Sequence, residues 1–159
     1  MEAGVAVLGE QTSVEALYRS DATRLWRAIY AFAGDAEVAS DAVAEAYAQL
    51  IRRGPVVRDP AAWTWRAAFR ISAGILKSGS QAAPTTANAA YADQYANQDL
   101  ITALRQLPEG QRAAVILFYY ADLPVAAIAH RLGSNGIAVR ANLSRGRRRL
   151  RQLLGDDDG

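Results

Sequence analysis

Apolar side chains recur at three- and four-residue intervals along most of this chain, and no stretch reads as a strand. That spacing is the mark of amphipathic helices with one buried face. Thr12–Ser13–Val14–Glu15 reads as a capping box, in which a hydroxyl and a carboxylate three residues apart satisfy unpaired N–H groups. The helix it predicts carries Leu17, Leu25, Ile29 and Phe32 and stops at Gly34. Asp35 can cap a second helix, with Val38, Ala42, Val43, Tyr47, Leu50 and Ile51 on its apolar face, closed by Gly54–Pro55. After a short loop, Asp59–Pro60 places an N-cap before a proline at the first helical position. A third helix is then expected through Trp63, Ala67, Ile71 and Ile75 to about Lys77.

From Ser78 to Asn97 the stripe collapses. SGSQAAPTTANAAYADQYAN is small and polar, as expected of a flexible linker, with only Tyr91 and Tyr95 offering apolar surface. Helical order returns with Leu100, Ile101, Leu104 and Leu107. Pro108 restarts a helix bearing Val115, Ile116, Phe118 and Tyr119, and Pro124 begins another with Val125, Ile128, Ala129 and Leu132 that closes at Gly133. Asn135 is a good cap for the last helix, Gly136 to about Leu154, with Val139, Leu143 and Leu150 inward. The expectation is an all-α protein of two small helical domains: residues 12–77, a linker at 78–97, residues 98–154, and an acidic tail at 155–159.

Composition supports this division and narrows the chemistry. Hydrophobic residues make up 51% of the 159, much of it alanine, which suits packed helices better than sheets. There is no cysteine and a single histidine, His130, so disulfides and thiolate metal sites are excluded and no cofactor is called for. The N-terminus lacks a basic region followed by a long apolar run, and no stretch of about 20 apolar residues exists. A cytosolic location without a membrane span is therefore expected. Net charge is only +2, yet the stretch from Leu123 to Leu154 holds seven arginines and no acid. They are Arg131, Arg140, Arg145, Arg147, Arg148, Arg149 and Arg151.

Such a run is often a solvated helix face. Here it follows a scaffold helix and a tight turn, which is the grammar of a helix–turn–helix. Ile128 sits in the first helix, Gly133 in the turn, and Val139 and Leu143 point inward from the second. The early outward positions are then free to enter a major groove. The candidate contacts there are Asn135, Arg140, Ala141, Asn142, Ser144, Arg145 and Arg148. Arginine pairs bidentately with guanine and asparagine with adenine, while the later arginines suit phosphates. A plain αα-hairpin with a glycine turn imitates the same pattern.

Residues 103–154, ALRQLPEGQRAAVILFYYADLPVAAIAHRLGSNGIAVRANLSRGRRRLRQLL, resemble region four of the extracytoplasmic-function sigma factors of bacterial RNA polymerase. Leu107, Pro108, Gln111 and Arg112 match its L-P-x-x-Q-R. Tyr120, Asp122 and Leu123 match Y-x-D-L, and Ile128 to Gly133 match I-A-x-x-L-G. Val139, Arg140, Leu143, Arg145 and Gly146 match V-K/R-x-x-L-x-R-G/A. Residues 17–53 and 59–77 are similar to region two, with its G-D-x-x-x-A-x-D-x-V-x-E and P-x-A-W segments.

The resemblance implies that Asp41 and Glu45 dock on the β′ clamp helices of core polymerase. It implies that the Gly54–Asp59 loop, with Val56, Val57 and Arg58, captures an unpaired −10 base. Trp65, Arg66, Phe69, Arg70 and Lys77 would handle −10 DNA; Trp65 and Phe69 are placed either to stack on bases or to pair with each other. Trp63 reads as core. The C-terminal half would read the −35 element and rest on the β flap, and an anti-sigma partner is the family's usual restraint. Arg70, Ile71 and Ile75 depart from the common R-N-x-x-x-D. Ala44 replaces a frequent Gln, Ala138 a common Thr, and Asn142 a common Arg. Two other readings stay open: a helix–turn–helix regulator acting without polymerase, and a sigma-like decoy for an anti-sigma protein. An enzyme is the weakest idea, since no catalytic constellation is evident.

Overall fold

The computed structural model describes residues 2–79 and 98–155. Tyr91, Tyr95 and nearly all of the expected linker lie outside them. Among the described residues seven α-helices follow in order: α1 (Glu2–Ala33), α2 (Ala36–Arg53), α3 (Pro60–Lys77), α4 (Gln98–Arg105), α5 (Glu109–Val115), α6 (Val125–Leu132) and α7 (Gly136–Leu154). A 3-10 turn, Gly54–Val56, links α2 to α3, and α5 runs on into a wide π-type segment, Ile116–Tyr120. No strand occurs among the described residues.

Caps explain most of the boundaries. The Asp35 carboxylate accepts from the backbone N–H of Glu37 and Val38, and Asp59 accepts from Ala62. Asn135 does the same for Ala138 at 2.9 Å. Each satisfies a donor that the first helical turn leaves unpaired. Gly34 and Gly133 sit at φ 71° and 65°, left-handed values that stop a helix and suit glycine. One expected boundary is wrong: α1 runs from Glu2 straight through Thr12–Ser13, so the capping box does not start a helix there. A capping box is a local option and does not forbid a helix that runs through it.

In the N-terminal half, α1, α2 and α3 pack around Leu25, Ile29, Phe32, Val43, Leu50 and Trp65. The C-terminal half packs α5 and α6 on α7 through Val115, Leu117, Ile128, Val139 and Leu143. Full burial of each large apolar side chain stabilises the fold by roughly 1.5–3 kcal/mol. Gly146 lets α5 and α7 approach closely: a Cβ there would lie 2.8 Å from Val115 Cγ2. The two halves are not separate beads. Their apolar side chains form one continuous cluster, with α3 against α6 and α1 against α4 and the π segment.

Candidate nucleic-acid interface

The α6–turn–α7 pair has helix–turn–helix construction. Ile128 and Val139 are fully enclosed and Leu143 nearly so, which locks α7 onto α6. Arg140, Ser144, Arg145, Arg148 and Arg149 are exposed along α7, and Asn135 is exposed at its start. Ala141 and Asn142 are half-buried. Asn142 turns toward α5, where a Cβ on Gly110 would lie 3.1 Å from its Nδ2. It lines a cavity of about 680 Å³ whose other wall is Arg66, Phe69, Arg70 and Lys77 of α3.

The arginine run therefore divides by direction. Arg147 donates to the Tyr119 hydroxyl at 3.1 Å. With Arg151 it borders a second, mostly apolar cleft of about 520 Å³, which also includes Arg27, Tyr30, Leu100 and Tyr120. Arg131 leaves the run altogether, its guanidinium lying 4.9 Å from the centre of the Trp65 ring. Partial burial lowers its pKa from the usual arginine value.

Between α2 and α3, Val56 is 80% exposed at the tip of the 3-10 turn. Arg58 is exposed beside it, while Val57 tucks against the core. On α3, Arg70 and Lys77 are exposed, with Lys77 3.5 Å from Glu109. Arg66 donates to the carbonyl of His130, near the end of α6. Trp65 and Phe69 are only 1% and 5% exposed, so stacking on bases is closed to them in this arrangement. The Trp65 indole N–H donates to Asp21 at 2.6 Å, and the Phe69 ring meets Phe32 edge-on at 5.1 Å. Trp63, expected inside, is half-buried instead, with Arg53 above its ring. Apolar spacing on α3 fits either face, and the choice fell to the face with the larger rings against α1.

On the outer face of α2, Asp41 and Glu45 stand exposed one turn apart. Glu45 accepts from Gln49 at 3.1 Å and from Arg52 at 2.9 Å. Those hydrogen bonds, Gln49's first, hold its carboxyl below the usual glutamate pKa and keep it ionised.

The seam between the halves is made by residues to which the sequence assigned no contact between the halves. Arg24 of α1 donates to the carbonyl of Ala121, and Arg105 to that of Ala33. Arg112 donates to Phe32 O at 2.8 Å and Leu107 O at 3.2 Å, with its guanidinium over the Phe32 ring. The Ala33 and Phe32 carbonyls are at the C-terminus of α1, where acceptors lack intrahelical partners and positive charge is favoured. Gln98 adds a bond to the Tyr30 hydroxyl at 3.2 Å, and His130 lies 3.4 Å from Asp59.

This geometry meets independent likenesses. The family described as Sigma-70, region 4 matches residues 97–150. Residues 97–150 are thus similar to a sigma-70 region 4. Its helix–turn–helix is the α6–α7 pair, and its basic surface is the outward face of α7. Among curated proteins, none matches. Among solved structures, the complex of CnrH with the cytosolic domain of CnrY aligns over 98% of this chain and 96% of its own, with TM-score 0.75 and 21% identity. The sigma factor RpoE with the anti-sigma factor NepR, from Bartonella quintana, aligns over 92% and 97%, with TM-score 0.59 and 20% identity. At such identities these likenesses speak to the fold. With the region 4 match, they bear out the resemblance to extracytoplasmic-function sigma factors. Among the described residues, no helix is long and apolar enough to cross a membrane.

Proposed function

We propose that this chain is a dissociable specificity subunit of bacterial RNA polymerase. The observation that carries the reading is a helix–turn–helix matching sigma-70 region 4, with a basic outer face, on a chain that aligns over 92% of its length with a solved sigma factor. In this reading Asp41 and Glu45 meet the β′ clamp helices. Both are acidic side chains on an exposed helix face, which suits a basic or amide-rich partner. Val56 and Arg58, held out by the short turn after α2, would take an unpaired −10 base, with Arg66, Arg70 and Lys77 along the strand's phosphates. α7 would enter the −35 major groove, with Arg140 and Arg145 toward bases and Arg148 toward a phosphate.

Melting in this scheme needs no nucleotide hydrolysis. Capture of unpaired bases offsets the few kcal/mol that unstacking each one costs. The C-terminal half would also rest on the β flap. An anti-sigma protein is the expected restraint, because the RpoE relative was solved with one.

The test is reconstitution with bacterial core polymerase and run-off transcription on genomic fragments. Promoter-specific transcripts that depend on the chain support the reading. A protein that shifts DNA but never joins core polymerase would instead be a free-standing regulator.

A further inference from the structure

Ile137 is 80% exposed at the start of α7, and among the described residues only Val56 matches it as a large apolar side chain so open to solvent. A single exposed aliphatic residue is ordinary on a protein surface. The position of this one is not. It is the second residue of the helix, in a first turn fixed by the Asn135 side chain accepting from the Ala138 N–H. Ile137, Ala141, Ser144 and Arg148 fall three or four residues apart and so share one face. Val139, Leu143 and Gly146 are the buried side of α7 and lie opposite. Ile137 therefore stands in the middle of the outward surface. The two most exposed large apolar side chains sit one at each proposed DNA contact, Val56 on the loop and Ile137 on the helix.

We infer that Ile137 is a specificity-determining residue, which packs against the C5-methyl group of one thymine in the major groove of the −35 element. This rests on the reading of α7 as the −35 helix. Residues at the N-terminal end of a recognition helix are the ones that reach base edges. In the major groove thymine presents a methyl group beside its O4 acceptor, whereas cytosine presents an amino donor and purines present an N7 acceptor. Isoleucine has no donor or acceptor in its side chain, so it favours only the methyl. Against another base it covers a polar edge without supplying a partner, which costs free energy.

The neighbours suit a close approach. Ala141 and Ser144, one and two turns on, are short, so neither holds the helix away from the base edges. Gly136 carries no side chain, and a Cβ there would lie 3.4 Å from Arg140 Nη1. The Arg140 guanidinium accordingly lies back beside the helix start, placed for a guanine next to the methyl contact. Helix propensity does not account for the choice, since isoleucine ranks below alanine, lysine or glutamate at an exposed helical position.

Deoxyuridine tests this directly, because it lacks the methyl and keeps every hydrogen-bonding group of thymine. Holoenzyme assembled from the full chain and bacterial core enzyme is titrated on a promoter found by run-off transcription. Each thymine of its −35 element, on either strand, is replaced singly by deoxyuridine. With the parent chain one replacement should weaken binding by about fourfold, as expected for removing one buried methyl. In Ile137→Ala the same replacement should have no effect, and binding to the unmodified promoter should fall by at least that factor. Circular dichroism and core binding of the variant should match the parent, since an exposed isoleucine gives way to a better helix former. A −35 element with no methyl-sensitive thymine, or one whose sensitivity survives Ile137→Ala, overturns the inference and leaves the −35 reading of α7 standing. Weaker core binding by Ile137→Ala sets the side chain against polymerase protein and overturns it as well. A chain that yields no promoter-specific transcripts, or transcripts indifferent to the −35 sequence, overturns the −35 reading and the inference together.

Discussion

The arginines of this molecule include some that face outward on α7 and others that bond across the seam. Arg140 and Arg148 are both exposed on α7 yet have different proposed partners. Arg140→Ala should change which promoters are chosen. Arg148→Ala should weaken binding to all of them and reduce the slope of log affinity against log salt by about one unit. Titrations of holoenzyme on several promoters at varied salt distinguish the two, and uniform behaviour of both variants contradicts the assignment. On α2, Asp41→Lys with Glu45→Lys reverses charge on an exposed face, so the helical circular dichroism should stay and core polymerase binding should vanish. Outward positions on α7 were legible from its period alone. The inward turn of Asn142 was not, because it depends on a glycine, Gly110, on another helix. Nor was the choice between Trp63 and Trp65 for the core, since both sit within one turn of the same apolar stripe.

Helices obeyed their local chemistry at most of the expected caps. Asp35, Asp59 and Asn135 begin α2, α3 and α7, and Gly34 and Gly133 follow the ends of α1 and α6, all as spacing and residue type foretell. The miss at Thr12 follows the same physics: hydroxyl and carboxylate side chains favour an N-terminus but do not forbid a helix that already extends upstream. Asn135→Ala should cost about 1 kcal/mol by exposing the first turn of α7. Gly146 gives a stricter test of the α5–α7 contact. Gly146→Val drives a branched side chain into Val115, so it should destabilise the fold by about 1–3 kcal/mol despite the better helix propensity. Chemical denaturation measures both; a neutral Gly146→Val would mean that α5 and α7 do not pack as described.

Across the whole molecule, what periodicity could not reveal is that two helical units share one core. Long guanidinium side chains reaching backbone carbonyls leave no repeating signature, and Arg24, Arg66, Arg105 and Arg112 look in sequence like surface charge. Such charged hydrogen bonds contribute about 1.5–3 kcal/mol each when enclosed. The parent should therefore melt in one calorimetric transition. Arg105→Ala with Arg112→Ala, which frees the C-terminus of α1, should split it into two. A single unshifted transition in that variant would show that apolar contact alone unites the halves. The proposed role is to direct core polymerase to promoters. Its most direct measurement is run-off transcription with purified bacterial core enzyme on genomic fragments, with and without the chain. Discrete transcripts that appear only in its presence, and disappear with Asp41→Lys and Glu45→Lys, are predicted. Transcription unaltered by the chain, with no association between the two on a sizing column, would contradict it.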